Sequence, residues 1–275
     1  MNKIKVVVLQ EASQSPAGMM LFLAKLTQRG HKLKTAEDVI NLFMTTYKNV
    51  ENNKVSEATL KSMAALPHGT IKRFSPIVIA IVGASRRFLS QARTHQVGLD
   101  YVSASLQYSD YSNQADFVVP YELLEDKNYK AKQAYLSSCA NAMNHYKGLI
   151  KNGISNDTAG YVTPQSLRNI LVMQGNAQAW SYFIGLRTCN RNTVETQYVS
   201  LLIWNALLHT KNGQILFGNC GPGCMQGSCL EGKMSCKHHL FNDDKVNSYL
   251  FDNPFSTIPE AIIATKFPLL SKEQK

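Results

Sequence analysis

Residues 67–112 read PHGTIKRFSPIVIAIVGASRRFLSQARTHQVGLDYVSASLQYSDYS, and the interpretation of the whole chain turns on this stretch. Its centre, Ile77 to Val82, is an unbroken apolar run that includes β-branched residues. A run of this kind is a buried strand or a buried helix, and periodicity does not separate the two. Gly83 ends it. A polar passage follows, carrying Ser85, Arg86, Gln91, Thr94, His95 and Gln96, and then Tyr101 to Tyr111, rich in Tyr and Ser, reads as extended or looped chain.

Upstream, residues 4–9 (IKVVVL) read as an opening strand. Pro16 to Arg29 places Met19, Leu21, Phe22 and Leu26 at helical spacing and stops at Gly30. Asp38 to Tyr47 predicts a second helix, and Ser56 to Leu66 a third, with Ser56 and Glu57 at its start. Downstream, Lys127 to Asn152 is a long helical pattern ended by Gly153. Thr163-Pro164 predicts the opening of another helix, since proline is tolerated in a first turn. Asn176 to Leu208 reads as one long amphipathic stretch that turns Trp180, Phe183, Leu186, Val194, Tyr198 and Leu201 largely inward. A Gly/Cys-rich loop from Gly213 to Cys236 and a weakly structured tail complete a mixed α+β chain.

Hydrophobic residues make up 44% of the 275 residues and charged ones 17%, enough apolar surface for a sizeable core and no signature of disorder. No run of about 20 apolar residues suggests a membrane span, and the start MNKIKVVVLQ turns polar too soon for a signal peptide. A soluble, cytoplasmic protein is the expectation. The net charge of +10 favours phosphate-bearing partners. The lysines are scattered, however, so a nucleotide or phosphorylated cofactor is expected rather than a nucleic acid.

The quoted stretch resembles the central block of the flavin-dependent thymidylate synthases. That block runs from a His-x-Ser element through an apolar segment ending Gly-x-Ser-Arg, to Gln-x-x-Arg-His-Arg, and closes with Ser-x-Arg-Tyr. The matching residues are His68 and Thr70, then Gly83, Ser85 and Arg86, then Gln91, Thr94, His95 and Gln96, and finally Ser105, Leu106, Gln107 and Tyr108. A second block, from Gly160-Tyr-Val-Thr-Pro164 through Asn176-Ala-Gln178 and Leu186-Arg187 to Cys189-Asn-Arg191 and Glu195, resembles that family's later motifs without a gap. The tail GPGCMQGSCLEGKMSC, like PHGTIKRF, is similar to a Gram-positive and phage branch.

The resemblance implies a flavin-dependent thymidylate synthase-like α+β fold over residues 1–212, a mixed sheet flanked by long helices, with a Cys-rich loop and tail over 213–275. It implies a homotetramer with sites shared between subunits, FAD as cofactor, and methylene-tetrahydrofolate and NADPH as co-substrates. The reaction it implies is one-carbon transfer to C5 of a pyrimidine deoxynucleotide, most simply dUMP to dTMP, with no protein nucleophile. Carried over by position, FAD would meet Thr70, Arg86, Gln91, Thr94, His95, Gln96, Asn176, Gln178 and Tyr182. The nucleotide would meet Ser103, Ser105, Gln107, Tyr108 and Arg187. Permanently charged, forked arginine suits phosphate best.

The chain also departs from the pattern. Thr94, Gln96, Gln107, Gly160 and Gln178 stand where the family carries arginine, while Arg73, Arg86, Arg87, Arg93, Arg187 and Arg191 lie close by. Two other readings follow from these departures: the same fold acting on a different pyrimidine nucleotide or making a different C5 product, as in phage base modification, or a catalytically silent homologue that binds nucleotide or nucleic acid.

Cys220, Cys224, Cys229 and Cys236 have the spacing C-x3-C-x4-C-x6-C, unlike the paired C-x2-C of a zinc ribbon. A structural zinc, with His238 and His239 as further ligands, disulfides and plain thiols all remain open readings. Cys139 and Cys189 fall in helical patterns and are expected to be buried.

Overall fold

The computed structural model describes residues 4–10, 15–33, 35–67, 69–74, 76–113, 116–124, 126–226 and 229–236. His68, His238 and His239, and the tail beyond Cys236, lie outside them.

The apolar run is a strand. β2 (Pro76–Ser85) has hydrogen-bonded neighbours on both sides, β1 (Lys5–Gln10) and β4 (Arg168–Asn176), and β3 (Leu99–Ser103) closes the sheet in the order β1-β2-β4-β3. Every pairing is antiparallel, so the α+β class stands while the sheet is not mixed as expected. Two-residue periodicity sets its faces. Ile77, Ile79 and Ile81 of β2 and Leu171 and Met173 of β4 point into the main core. Val7, Leu9, Val82, Val102 and Ile170 lie on the other face and are exposed.

The described helices are α1 (Pro16–Arg29), α2 (Ala36–Glu51), α3 (Glu57–Ala64), α4 (Arg86–Arg93), α5 (Tyr129–Lys151), α6 (Asn156–Gly160), α7 (Ala177–Arg187), α8 (Val194–Leu208) and α9 (Gly213–Phe217). α1, α3, α7, α8 and α9 contribute to the core on its inner face, where Trp180, Phe183, Trp204 and Phe217 are fully buried. A second cluster joins Cys139, Met143 and Tyr146 of α5 to Phe117 and Leu167. Among the described residues no helix is long and apolar enough to cross a membrane.

Two expectations change. Pro164 opens a turn, closed by the Leu167 N–H on its carbonyl at 3.0 Å, and strand β4 follows instead of a helix. The long stretch from Asn176 is two helices, because Thr193 caps a fresh start by accepting the Thr196 N–H.

The segment after α8 is packed tightly. The Trp204 indole donates to the Phe217 carbonyl at 2.9 Å, and a Cβ on Gly213 would stand 2.1 Å from the Leu207 carbonyl oxygen and 2.7 Å from that of Leu208. Backbone cannot rotate away as a side chain does. Gly213→Ala is therefore expected to cost about 2–3 kcal/mol by overpacking, a melting point lower by roughly 4–12 °C in thermal denaturation.

Candidate functional site

The site is mounted on the β2–α4 junction. Gly83 sits at φ +86, where the β2–β4 register shifts by a bulge, a conformation that favours glycine. Two residues on, Ser85 caps α4 by accepting the Phe88 N–H at 3.0 Å. It also gives its own N–H to Glu195 Oε1 at 2.7 Å and its hydroxyl proton to Glu195 Oε2 at 2.5 Å. Burial pushes the Glu195 carboxyl up, with the two Ser85 bonds and the Arg168 and Arg87 charges opposing it. Arg168, buried on β4, donates to the Gly83 carbonyl at 2.5 Å and pairs with Asp116 at 3.1 Å. The α4 N-terminus is thus held by groups from β4 and α8.

The other end of α4 meets α7. Arg187, in the last turn of α7, donates to the Gln91 carbonyl at 3.2 Å, to Thr94 Oγ1 at 2.7 Å and to Asn192 Oδ1 at 3.3 Å. His95 is 5% exposed, its ring 5.0 Å from that of Tyr182 and 5.3 Å from that of Phe183. Its carbonyl accepts the Tyr101 hydroxyl. Burial, then the neighbouring Arg187 charge, lowers the His95 pKa to about 4, so the imidazole is neutral near pH 7. Gly98, at φ +73, turns the chain from α4 into β3 so tightly that a Cβ there would stand 2.9 Å from Ala179.

The His95 shift has a thermodynamic consequence. Between pH 4 and 6.5 the unfolded histidine binds a proton that the native one refuses, so stability rises with pH across that window. The wild-type chain is expected to lose up to about 3 kcal/mol through this group on going from pH 7 to pH 4. His95→Gln should lack that increment when denaturant midpoints are compared across pH.

The predicted residues therefore fall into neighbouring groups. Gln91, Thr94, His95, Tyr182 and Arg187 come together where α4 and α7 meet. Thr70 lies on the short turn Gly69–Lys72, which touches the start of α7: a Cβ on Gly69 would meet Gln178 at 2.2 Å, and Arg73 donates to Gln178 Oε1. Asn176 caps α7, accepting the Ala179 N–H at 3.0 Å. Ser103 accepts from Arg93 at 2.6 Å. Ser105 is spent on its own loop, accepting from the N–H groups of Gln107 and Tyr108. Gln96, Gln107 and Tyr108 are exposed.

Arg73 and Arg93 matter more than their sequence positions suggested. Each is bonded to a residue of the predicted set, Arg73 to Gln178, which stands at one of the replaced arginine positions, and Arg93 to Ser103. Gly160 is different. A Cβ there would approach Leu106 to 3.2 Å, leaving no room for the arginine the family places at this position unless Leu106 moves.

Among the buried side-chain atoms without a hydrogen-bond partner, three belong to this region: Arg86 Nη1, His95 Nε2 and Arg187 Nε. Leaving such atoms unsatisfied is costly. Two guanidinium groups and a neutral imidazole are the set that a phosphorylated, hydrogen-bonding ligand such as a flavin or nucleotide would satisfy.

The cysteines are redistributed. Cys220 turns into the core toward the Leu216 carbonyl, and burial pushes its thiol up to about 11. Cys139 is buried as expected and lies 3.3 Å from Ser166 Oγ. Cys189, expected inside a helix, stands beyond the end of α7 and is only half-buried. It lines a cavity together with Cys224, Cys229 and Cys236. Among the described residues, no three His, Cys, Asp or Glu side chains converge closely enough to form a closed metal centre.

Comparison with known proteins agrees with this architecture. Residues 9–210 match the model of the family described as Thymidylate synthase complementing protein. The chain is similar to the flavin-dependent thymidylate synthase of Geobacter sulfurreducens, 26% identical over 183 residues, covering 65% of this chain and 75% of that one. It is likewise 26% identical over 187 residues to that of Pyrococcus abyssi, covering 65% and 74%. Two solved structures share the fold at 17% identity. One is the UMP/dUMP methylase PolB from Streptomyces cacaoi bound with 5-Br dUMP, with a TM-score of 0.60 over 80% of this chain and 98% of that one. The other is the flavin-dependent thymidylate synthase ThyX from Helicobacter pylori complexed with FAD and dUMP, with a TM-score of 0.56 over 79% and 99%.

Proposed function

Because the chain belongs to the Thymidylate synthase complementing protein family, the flavin-dependent thymidylate synthases, we propose that it transfers a one-carbon unit to C5 of a pyrimidine deoxynucleotide, most simply converting dUMP to dTMP. The observation that carries this reading is the meeting of His95 and Arg187, which are far apart in sequence, around the Gln91–Thr94 turn.

Thr70, Gln178, Gln91, Thr94, His95 and Tyr182 would hold FAD; bound there, the flavin would supply the one-carbon and hydride chemistry. The chain's own residues bind, orient and exclude water. Neutral His95 offers a ring nitrogen as a hydrogen-bond partner without adding charge. Arg187 sets positive charge beside it and fixes the turn on which Thr94 sits. Arg86, with one unpartnered nitrogen, would add positive potential on the side assigned to FAD, and Arg93, beside Ser103, on the side assigned to the nucleotide. Methylene-tetrahydrofolate is the assigned donor and NADPH the assigned reductant. The exposed apolar sheet face of Val7, Leu9, Val82, Val102 and Ile170 supports assembly into a tetramer. The GPGCMQGSCLEGKMSC tail supports the Gram-positive and phage branch, and a cytoplasmic location follows from that assignment.

The test is a titration of the purified chain with FAD, with and without dUMP, followed by product analysis after adding methylene-tetrahydrofolate and NADPH. Flavin binding that tightens with dUMP, and dTMP as product, are expected. A product other than dTMP would move the assignment to another nucleotide or C5 group, and a chain that ignores FAD altogether would overturn it.

A further inference from the structure

We propose that Cys189, Cys224, Cys229 and Cys236 bind a structural zinc ion that fastens the Gly/Cys-rich segment to the end of α7.

The observation is positional. Cys224, Cys229 and Cys236 come from the segment that follows α9, whereas Cys189 comes from the loop after α7, yet all four line one cavity. Gly185 and Leu186 of α7 form its floor. Spacing along the chain had pointed to Cys220 as the fourth thiol, but that side chain faces the core and Leu216. A structural zinc takes four ligands in a tetrahedron, and an all-thiolate set is one of its common forms. Soft sulfur donors also select against calcium and magnesium.

Three further features fit a closed, structural site. Polar groups already face the sulfurs: the Arg191 N–H is 3.5 Å from Cys189 Sγ, and the Asn190 side-chain amide is 3.8 Å from Cys236 Sγ. Donors of that kind orient thiolate ligands and offset their charge. The backbone is also turned as ligand loops require. Cys224 lies in a short 3-10 turn (Gly223–Gln226), and Gly221 and Gly232 adopt φ +126 and +50. Finally, the segment buries little apolar surface of its own, with Leu230 80% and Met234 60% exposed. A stretch that cannot build a core needs a cross-link or a metal to hold it.

The sulfurs ring the cavity without yet converging to ligand separation, so binding is expected to draw them inward. The thiols would give up their protons to solvent, and the dication would offset half of the negative charge of the four thiolates, leaving the rest to the surrounding N–H donors. No electrons are transferred. Since Cys189 follows Arg187 by two residues, the ion would also steady the α7 terminus from which Arg187 reaches Thr94.

The test needs neither flavin nor substrate. The full chain is purified from zinc-supplemented cells under reducing conditions, desalted, and its metal measured by elemental mass spectrometry. About one zinc per chain is expected. Cobalt(II) exchanged into the wild-type protein should give the intense sulfur-to-cobalt absorption and visible bands of a tetrahedral thiolate site, a readout that depends on no variant. Cys189→Ser and Cys229→Ser should each weaken zinc retention at least about tenfold, while Cys220→Ser retains it as the wild type does. Wild-type protein with less than roughly a tenth of a zinc per chain would overturn the proposal. So would zinc lost with Cys220→Ser but kept with Cys189→Ser, or thiol titration finding these four sulfurs consumed in disulfides.

Discussion

Arg187→Ala is expected to lower kcat/KM for dTMP formation by about 10²–10³-fold, equivalent to roughly 2.7–4 kcal/mol of transition-state stabilisation. The guanidinium does two things at once. It bonds the Gln91 carbonyl and Thr94 Oγ1, tying the turn after α4 to α7, and it bonds Asn192 beyond the helix. Hydrogen bonds from a charged donor are each worth about 1.5–3 kcal/mol, but these share one side chain and do not simply add. Its Nε is buried without a hydrogen-bond partner. Arg187→Lys separates the two functions, because a lysine keeps the charge and loses the fork. It should recover no more than about tenfold of the loss, chiefly in KM for the nucleotide, whereas the alanine variant should also release flavin. Kinetics within about threefold of wild type for Arg187→Ala would remove this residue from the site.

Much of this site was legible because it rests on short-range motifs. The polar passage from Ser85 to Gln96 carried the motif residues, although the short helix α4 that it forms and the Ser85 cap were not among the expected elements. What stayed hidden depends on partners distant in sequence. Ile77 to Val82 could not be told from a buried helix, since its identity as a strand comes from neighbours on both edges, β1 and β4. β4 itself was obscured because Arg168 and Asn169 are buried polar residues in a strand. Arg168 is tolerated through distant partners, among them Asp116, 52 residues away, and the Gly83 carbonyl, 85 away. The break after Arg187 carried a readable sign in Thr193, whose hydroxyl caps α8, but the apolar pattern ran across it. The exchange of Cys220 for Cys189 could not be read at all, because ligand spacing says nothing about which thiol a turn directs into the core.

The rewritten motif positions also make physical sense together. Gln178 replaces an arginine while Arg73 supplies a guanidinium to the same spot, and Thr94 replaces one while accepting Arg187. At these two positions a guanidinium reaches the motif residue from another backbone position. At Gly160 a side chain would press against Leu106, while Gln96 and Gln107 are exposed.

Glu195→Ala is expected to destabilise the chain by about 2–4 kcal/mol. The carboxylate receives both the N–H and the hydroxyl of Ser85, so its removal leaves a buried backbone donor without a partner at the start of the helix that carries the site. Glu195→Gln keeps the volume and an acceptor, and should cost much less. The two variants differ again in their response to pH. Burial raises the Glu195 pKa above its unfolded value of 4.5, so the native state binds this proton more readily, and the stability it contributes is present at low pH and declines as pH rises through the folded pKa. His95 acts in the opposite sense, strengthening the fold as pH rises from 4 to 6.5. The wild-type profile is the difference of two slopes. Glu195→Gln should therefore steepen the rise in denaturant midpoint across that window by exposing the His95 contribution, and His95→Gln should flatten or reverse it. If the glutamine variant leaves the slope unchanged, Glu195 is ionised in the native state as freely as in the unfolded chain, and the Ser85 contacts bind it as an ordinary carboxylate cap.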